Sequence, residues 1–100
     1  DEGWLVENAV CLELVRRGER PVFWRNSGDV DFVTGSTPGA LVPIGVCYSD
    51  EIPAREVASL HAFGKHVPRS VGESVLITRS TSGTPDGIEH VPAWRWLLQG

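Results

Sequence analysis

Apolar residues recur at helical spacing from Trp4 to Arg17, where Leu5, Ala9, Leu12 and Val15 share one face. Val6, Val10, Cys11 and Leu14 widen the apolar surface beyond that stripe, so this first helix is expected to be buried on more than one side. Gly18 suits the position after the last turn. The period then changes. Pro21 opens a strand over Val22–Arg25, Asn26-Ser27-Gly28 carries turn chemistry, and Asp29–Val33 returns as a second strand, which reads as a hairpin. After a loop over Thr34–Ala40, the largely apolar run Leu41–Tyr48 predicts a central third strand, regular from Ile44 because Pro43 lacks a donor. Ser49 or Asp50 is placed to cap a helix running to about His66, with Pro53 near its first turn and Ala54, Val57, Leu60 and Phe63 on its apolar face. Val67-Pro68 closes that helix. Ser74–Arg79 reads as a buried fourth strand, Ser80–Asp86 as a polar turn, Gly87–Val91 as a short fifth strand, and Pro92–Leu98 as a terminal helix.

The resulting order, α-β-β-β-α-β-β-α, predicts an α/β fold with a mixed central sheet flanked by helices. One hundred residues suffice for a single domain. The apolar fraction of 41% argues against disorder. No apolar run approaches the ~20 residues of a membrane span, so no membrane partner is expected. The chain has no methionine and runs from Asp1-Glu2-Gly3 almost directly into a helix pattern, so residues 1–100 are expected to be a piece cut from a longer chain.

A net charge of −4 argues mildly against nucleic-acid binding, which favours an excess of Lys and Arg. Arg16, Arg17, Arg20 and Arg25 lie close in sequence, but cations near a helix C-terminus account for much of that cluster. Cys11 and Cys47 are the only cysteines and lie in apolar segments, which points to a reduced, cytoplasmic protein. His61, His66 and His90 lack metal-ligand spacing. Gly35-Ser36-Thr37-Pro38-Gly39 lacks the lysine and following helix of a phosphate-binding loop, so no ATP site is expected here. Trp94 and Trp96 face different ways on a helix and are expected to anchor it, with one ring partly exposed.

The candidate chemistry lies in the strands. Alternation sets Asp29 and Asp31 on one face and Val30 and Phe32 on the other. Divalent ions that assist phosphodiester cleavage take hard oxygen ligands, and Mg²⁺ is usually held by one or two carboxylates plus water. Asp31, a carboxylate on the adjacent strand, and Glu7 from the packed helix would form such a set. The alternative for Asp31 is a structural role, bonded to backbone or paired with Arg25. For Glu7 it is a helix-surface or helix-packing role, and for Asp29 the exposed end of a turn.

Several segments together, in this order, resemble a known family. They are Glu7-Asn8, Leu12-Glu13-Leu14 and Arg17-Gly18 on the first helix; Phe23-Trp24-Arg25; Gly28-Asp29-Val30-Asp31-Phe32-Val33; Val46-Cys47-Tyr48-Ser49; and the tail from Ile88 through Val91-Pro92-Ala93-Trp94-Arg95-Trp96-Leu97-Leu98. They resemble the C-terminal domain of bacterial and archaeal AAA-type ATP-binding proteins, a small domain with a restriction-endonuclease-like, PD-(D/E)XK fold. The resemblance implies Glu7 at the helix acid and Asp31 at the strand aspartate, the two candidate metal ligands. It sets Gly45 where active nucleases carry Glu or Gln, and Cys47 where they carry Lys. Gly45 has no side chain to bind metal, and Cys47 is a poor Mg²⁺ ligand.

The expectation is therefore a catalytically degenerate, nuclease-like accessory or interaction domain of an AAA-type ATPase. Its ATPase activity would reside in a separate N-terminal domain. The expected partners are that ATPase domain and a further protein, with no cofactor in the domain itself. The rivals are an active Mg²⁺-dependent DNA or RNA nuclease with relocated groups (Glu7, Asp31, and Asp50 or Glu51, with Lys65 as a migrated lysine) and a non-cleaving nucleic-acid-binding domain.

Overall fold

Among the described residues, five strands lie side by side in chain order in one sheet, with three helices packed on it. The structure is a computed structural model and describes residues 2–25, 29–35, 41–67 and 73–99. The expected turn Asn26–Gly28, the loop residues 36–40, Pro68, and the side chains of Arg25 and Asp29 lie outside the described residues. The elements are α1 (Glu2–Arg16), β1 (Val22–Arg25), β2 (Asp29–Thr34), β3 (Val42–Cys47), α2 (Ala54–His66), β4 (Val75–Thr78), β5 (Glu89–Pro92) and α3 (Ala93–Leu98). Pairing is antiparallel from β1 to β3 and parallel from β3 to β5, the expected mixed sheet. No helix among the described residues is long and apolar enough to cross a membrane.

Two apolar layers lie on opposite faces of the sheet. Val10 and Leu14 of α1 and Ala93 and Trp96 of α3 pack with Phe32, Ile44, Ile77 and Val91. Leu60 and Phe63 of α2 pack with Val30, Val33, Leu76 and Ile88. The parallel register sets Gly45 beside Leu76 and Val46 beside Ile77, so successive β3 residues serve alternate layers.

Local chemistry explains the ends of α1 and its seat. Gly18, at φ 88°, follows the helix. Its N–H donates to the Val15 carbonyl at 3.0 Å and the Glu19 N–H donates to the Leu14 carbonyl at 2.9 Å, satisfying carbonyls that the helix leaves unpaired. Arg17 then ties α1 to α3: its guanidinium lies 4.1 Å from the Trp96 ring and donates to the Trp96 carbonyl at 2.7 Å. Trp96 is buried and Trp94 exposed, which is the division expected of an anchoring helix.

Four features depart from the sequence pattern. Alpha1 is not buried on both of its apolar sides: Leu5, Leu12 and Val15 are exposed, because the sheet and α3 cover only the Val10–Leu14 face. Strict alternation fails in β2. Val22 pairs with Val33 but Trp24 with Val30, so two residues, Asp31 and Phe32, oppose Phe23 alone. That bulge lets both Val30 and Val33 pack under α2. Pro43 sits inside β3, where it is tolerated because β3–β4 pairing begins only at Ile44. Neither Ser49 nor Asp50 caps α2: Pro53 is the N-cap residue, and Ser49 Oγ instead accepts from the Glu51 N–H at 3.2 Å.

The parallel β4–β5 step uses an irregular connection instead of a helix. The loop runs back along the outer side of β5, where the His90 N–H donates to the Gly83 carbonyl at 2.7 Å. Asp86 secures it, with its carboxylate 3.3 Å from His90 Nε2 and accepting from the Ile88 N–H at 3.2 Å. The loop thereby pairs part of an edge that would otherwise be open.

Candidate functional site

The candidate positions on the sheet gather at the C-terminal end of β3. Regular β2–β3 pairing stops at Phe32↔Ile44. Continued, that register would set Val30 against Val46. Instead, the bulge in β2 turns Asp31 toward β3, and its Oδ2 accepts a hydrogen bond from the Val46 N–H at 2.7 Å. The carboxylate thus stands in for a backbone acceptor where the ladder breaks, and a charged acceptor makes that bond stronger than a neutral one would be.

Gly45 lies on the face covered by α2, and the space above it is filled. A Cβ at this position would sit 3.0 Å from Leu76 Cδ1 and 3.5 Å from Leu60 Cδ1. Gly45 is outside the left-handed region of φ. Its lack of a side chain therefore answers to packing and not to backbone conformation.

Cys47 is half-buried on the same face, packed against the α2 layer. Burial pushes its thiol above the ordinary value, and the nearby Glu56 and Asp31 carboxylates push the same way, while Arg55 opposes them. The thiol is therefore held neutral, with none of the charge a lysine would bring. A cation within electrostatic reach of this thiol is Arg55, in the first turn of α2. Lys65, the migrated lysine of the rival nuclease expectation, lies ten residues further along the same helix, roughly 15 Å away along the axis. Arg55 and Glu56 were legible only as residues after the predicted helix start. Which way they point depends on how α2 folds back over β3.

The helix that carries Glu7 belongs to the other layer. Alpha1 packs its Val10–Leu14 face on the layer opposite α2. Asp31 and Cys47 are brought within electrostatic reach of one another with Gly45 beside them, but the helix carrying Glu7 does not cover that face. The candidate relocated acids have other surroundings: Asp50 accepts a hydrogen bond from Ser80 Oγ, and Glu51 is exposed in the turn before α2. Among the described residues, no group of three or more His, Cys, Asp or Glu is placed to hold a metal ion. The donor set does not suit Mg²⁺: Gly45 offers no ligand, Cys47 offers a neutral thiol, and one oxygen of Asp31 is engaged by backbone.

The element order and the mixed, open sheet flanked by helices define an α/β domain with a restriction-endonuclease-like core. The model of the DUF4143 family, described as a domain of unknown function, matches residues 2–96, and the chain belongs to that family. No curated protein matches the chain.

Proposed function

We propose that this domain is a nuclease scaffold without nuclease chemistry, serving as an accessory or interaction domain of an AAA-type ATPase in the cytoplasm. The observation that carries the reading is at Gly45. The first atom of any side chain there would meet Leu76 Cδ1 at 3.0 Å and Leu60 Cδ1 at 3.5 Å. The remaining positions agree: Asp31 is engaged in holding β2 to β3, and Cys47 is a neutral thiol. A scaffold that retains its sheet while packing Leu60 and Leu76 over Gly45 is kept for its shape and surface.

That surface supports an interaction role. Trp94 and Leu98 are exposed by 62 and 80% on α3. Apolar exposure of this kind marks protein contacts when it is contiguous. The ATPase assignment rests on the sequence resemblance, and the natural partner is an ATP-binding domain in the same chain. The reading frame around Asp1–Gly100 tests it. A phosphate-binding loop and a Walker-type acid upstream support the assignment, and co-purification of that segment with this domain when the two are expressed separately supports the contact. A frame encoding neither motif would remove the ATPase from the account. An excess of DNA or RNA binding that falls steeply with salt would replace interaction with nucleic-acid recognition.

A further inference from the structure

The outer face of α1 is patterned in a way that the packing of this domain does not use. Leu5 and Leu12 are one heptad apart, as are Asn8 and Val15, and the four together follow the alternating three- and four-residue spacing of a helix–helix seam. Leu5, Leu12 and Val15 are exposed by 60, 71 and 57%, and Trp4 beside them by 61%. The opposite side of the helix, through Val10 and Leu14, already supplies the core. The helix is therefore apolar on both sides, and Leu5, Leu12 and Val15 stand exposed on the side away from the core.

Charge says what fits that side. Glu2 lies in the first turn, Ala9 at the middle and Arg16 in the last turn, all on the same flank of the seam. In a parallel helix pair this flank would not set Glu2 against Arg16. In an antiparallel pair of identical helices it would bring Glu2 of each against Arg16 of the other, with the small Ala9 residues meeting on the two-fold axis. Helix dipoles would also oppose. The Arg16 side chain is 61% exposed and uses its Nε and one Nη on Glu13, leaving further N–H donors of its fork free. The flank is thus self-complementary in sign and size, a requirement of a two-fold interface between copies.

We propose that the outer face of α1 docks against the same face of a second copy of this chain, as an antiparallel two-fold helix pair. Leu5 and Leu12 of one copy pack in the seam with Val15 and Asn8 of the other. Asn8, the polar member, faces Leu12 of the other copy and lowers the affinity. A helix about 22 Å long buries less than a standard interface, so the dimer is expected to form at concentrations on the order of tens of micromolar. This inference is independent of the nuclease-like reading and of the ATPase.

Sedimentation equilibrium of the chain, from low to several hundred micromolar, tests it. The expected result is a mass rising from the 10.9 kDa monomer toward twice that value. Leu12→Glu should keep the monomer mass throughout, with unchanged circular dichroism and melting temperature because Leu12 is exposed. Glu2→Arg and Arg16→Glu should each weaken association about tenfold, and the double reversal should recover most of the loss. The proposal is overturned by a monomer mass at every concentration, which would leave the face to another segment or protein. It is equally overturned by a dimer that survives Leu12→Glu, or by failure of the double reversal to outperform the single changes.

Discussion

Gly45→Ala gives the sharpest test of why the position is vacant of chemistry. Alanine can adopt this backbone, and replacing glycine in a strand ordinarily stabilises by about 0.5–1 kcal/mol. Here the new Cβ would stand 3.0 Å from Leu76 Cδ1, with both Leu60 methyls within 3.8 Å. Leu76 and Leu60 are essentially inaccessible, so neither can swing outward to make room. Overpacking of such a core costs about 1–3 kcal/mol. The net expectation is a loss of about 1 kcal/mol, or roughly 4–8 °C in melting temperature for a domain of this size. Gly45→Glu, which would place the nuclease-like acid, buries a carboxylate among leucines and should cost several kcal/mol, a large part of the stability of a small domain. Thermal and urea unfolding of Gly45→Ala, Leu76→Val and the double variant measure the coupling. Valine lacks the Cδ1 that the new methyl meets, so the alanine should be better tolerated in the Leu76→Val background by about 1 kcal/mol. An alanine variant more stable than the parent, with additive effects in the double, would refute the argument. A soluble, fully stable Gly45→Glu variant would do so more strongly.

Asp31→Ala leaves the Val46 N–H without its acceptor and should cost about 1–3 kcal/mol, while Asp31→Asn, which keeps an acceptor oxygen, should cost less; chemical denaturation of the pair distinguishes them. Hydrogen bonds from Arg16 and Arg17 hold the Glu13 carboxyl down from 4.5 to about 2. A lowered folded pKa contributes stability that is present above the unfolded value and is lost as pH falls toward 2, so Glu13→Gln should flatten the acid limb of a stability–pH curve in that window. Cys47, with its thiol raised by burial and neighbouring carboxylates, should be alkylated by iodoacetamide more slowly at pH 8 than a free thiol, and denaturant should abolish the difference.

Much of the fold was legible because period and punctuation agreed. The change from helical spacing in α1 to short β runs, the long apolar β3, and the helix before β4 each followed from local pattern. What was hidden depended on tertiary geometry. The bulge opposite Phe23 reverses the alternation that seemed to orient Asp31, and no residue in Asp29–Val33 announces it. The two-sided apolar pattern of α1 looked like double burial, but which side the sheet takes is decided by neighbours far along the chain. The sequence pattern marked Gly45 and Cys47 as departures without revealing that Leu60 and Leu76 fill the gap, or that Arg55 and Glu56 set the charge around the thiol. Expecting Glu7 with them was reasonable from order alone. Its helix instead packs on the opposite layer.

The central claim is that this scaffold holds no phosphodiester-cleaving centre. Its most direct measurement is incubation of the purified domain with labelled single- and double-stranded DNA and RNA in Mg²⁺ or Mn²⁺, alongside Asp31→Ala. The account predicts that every substrate stays intact with both proteins. Metal-dependent cleavage by the parent domain that disappears in the Asp31→Ala protein would contradict it.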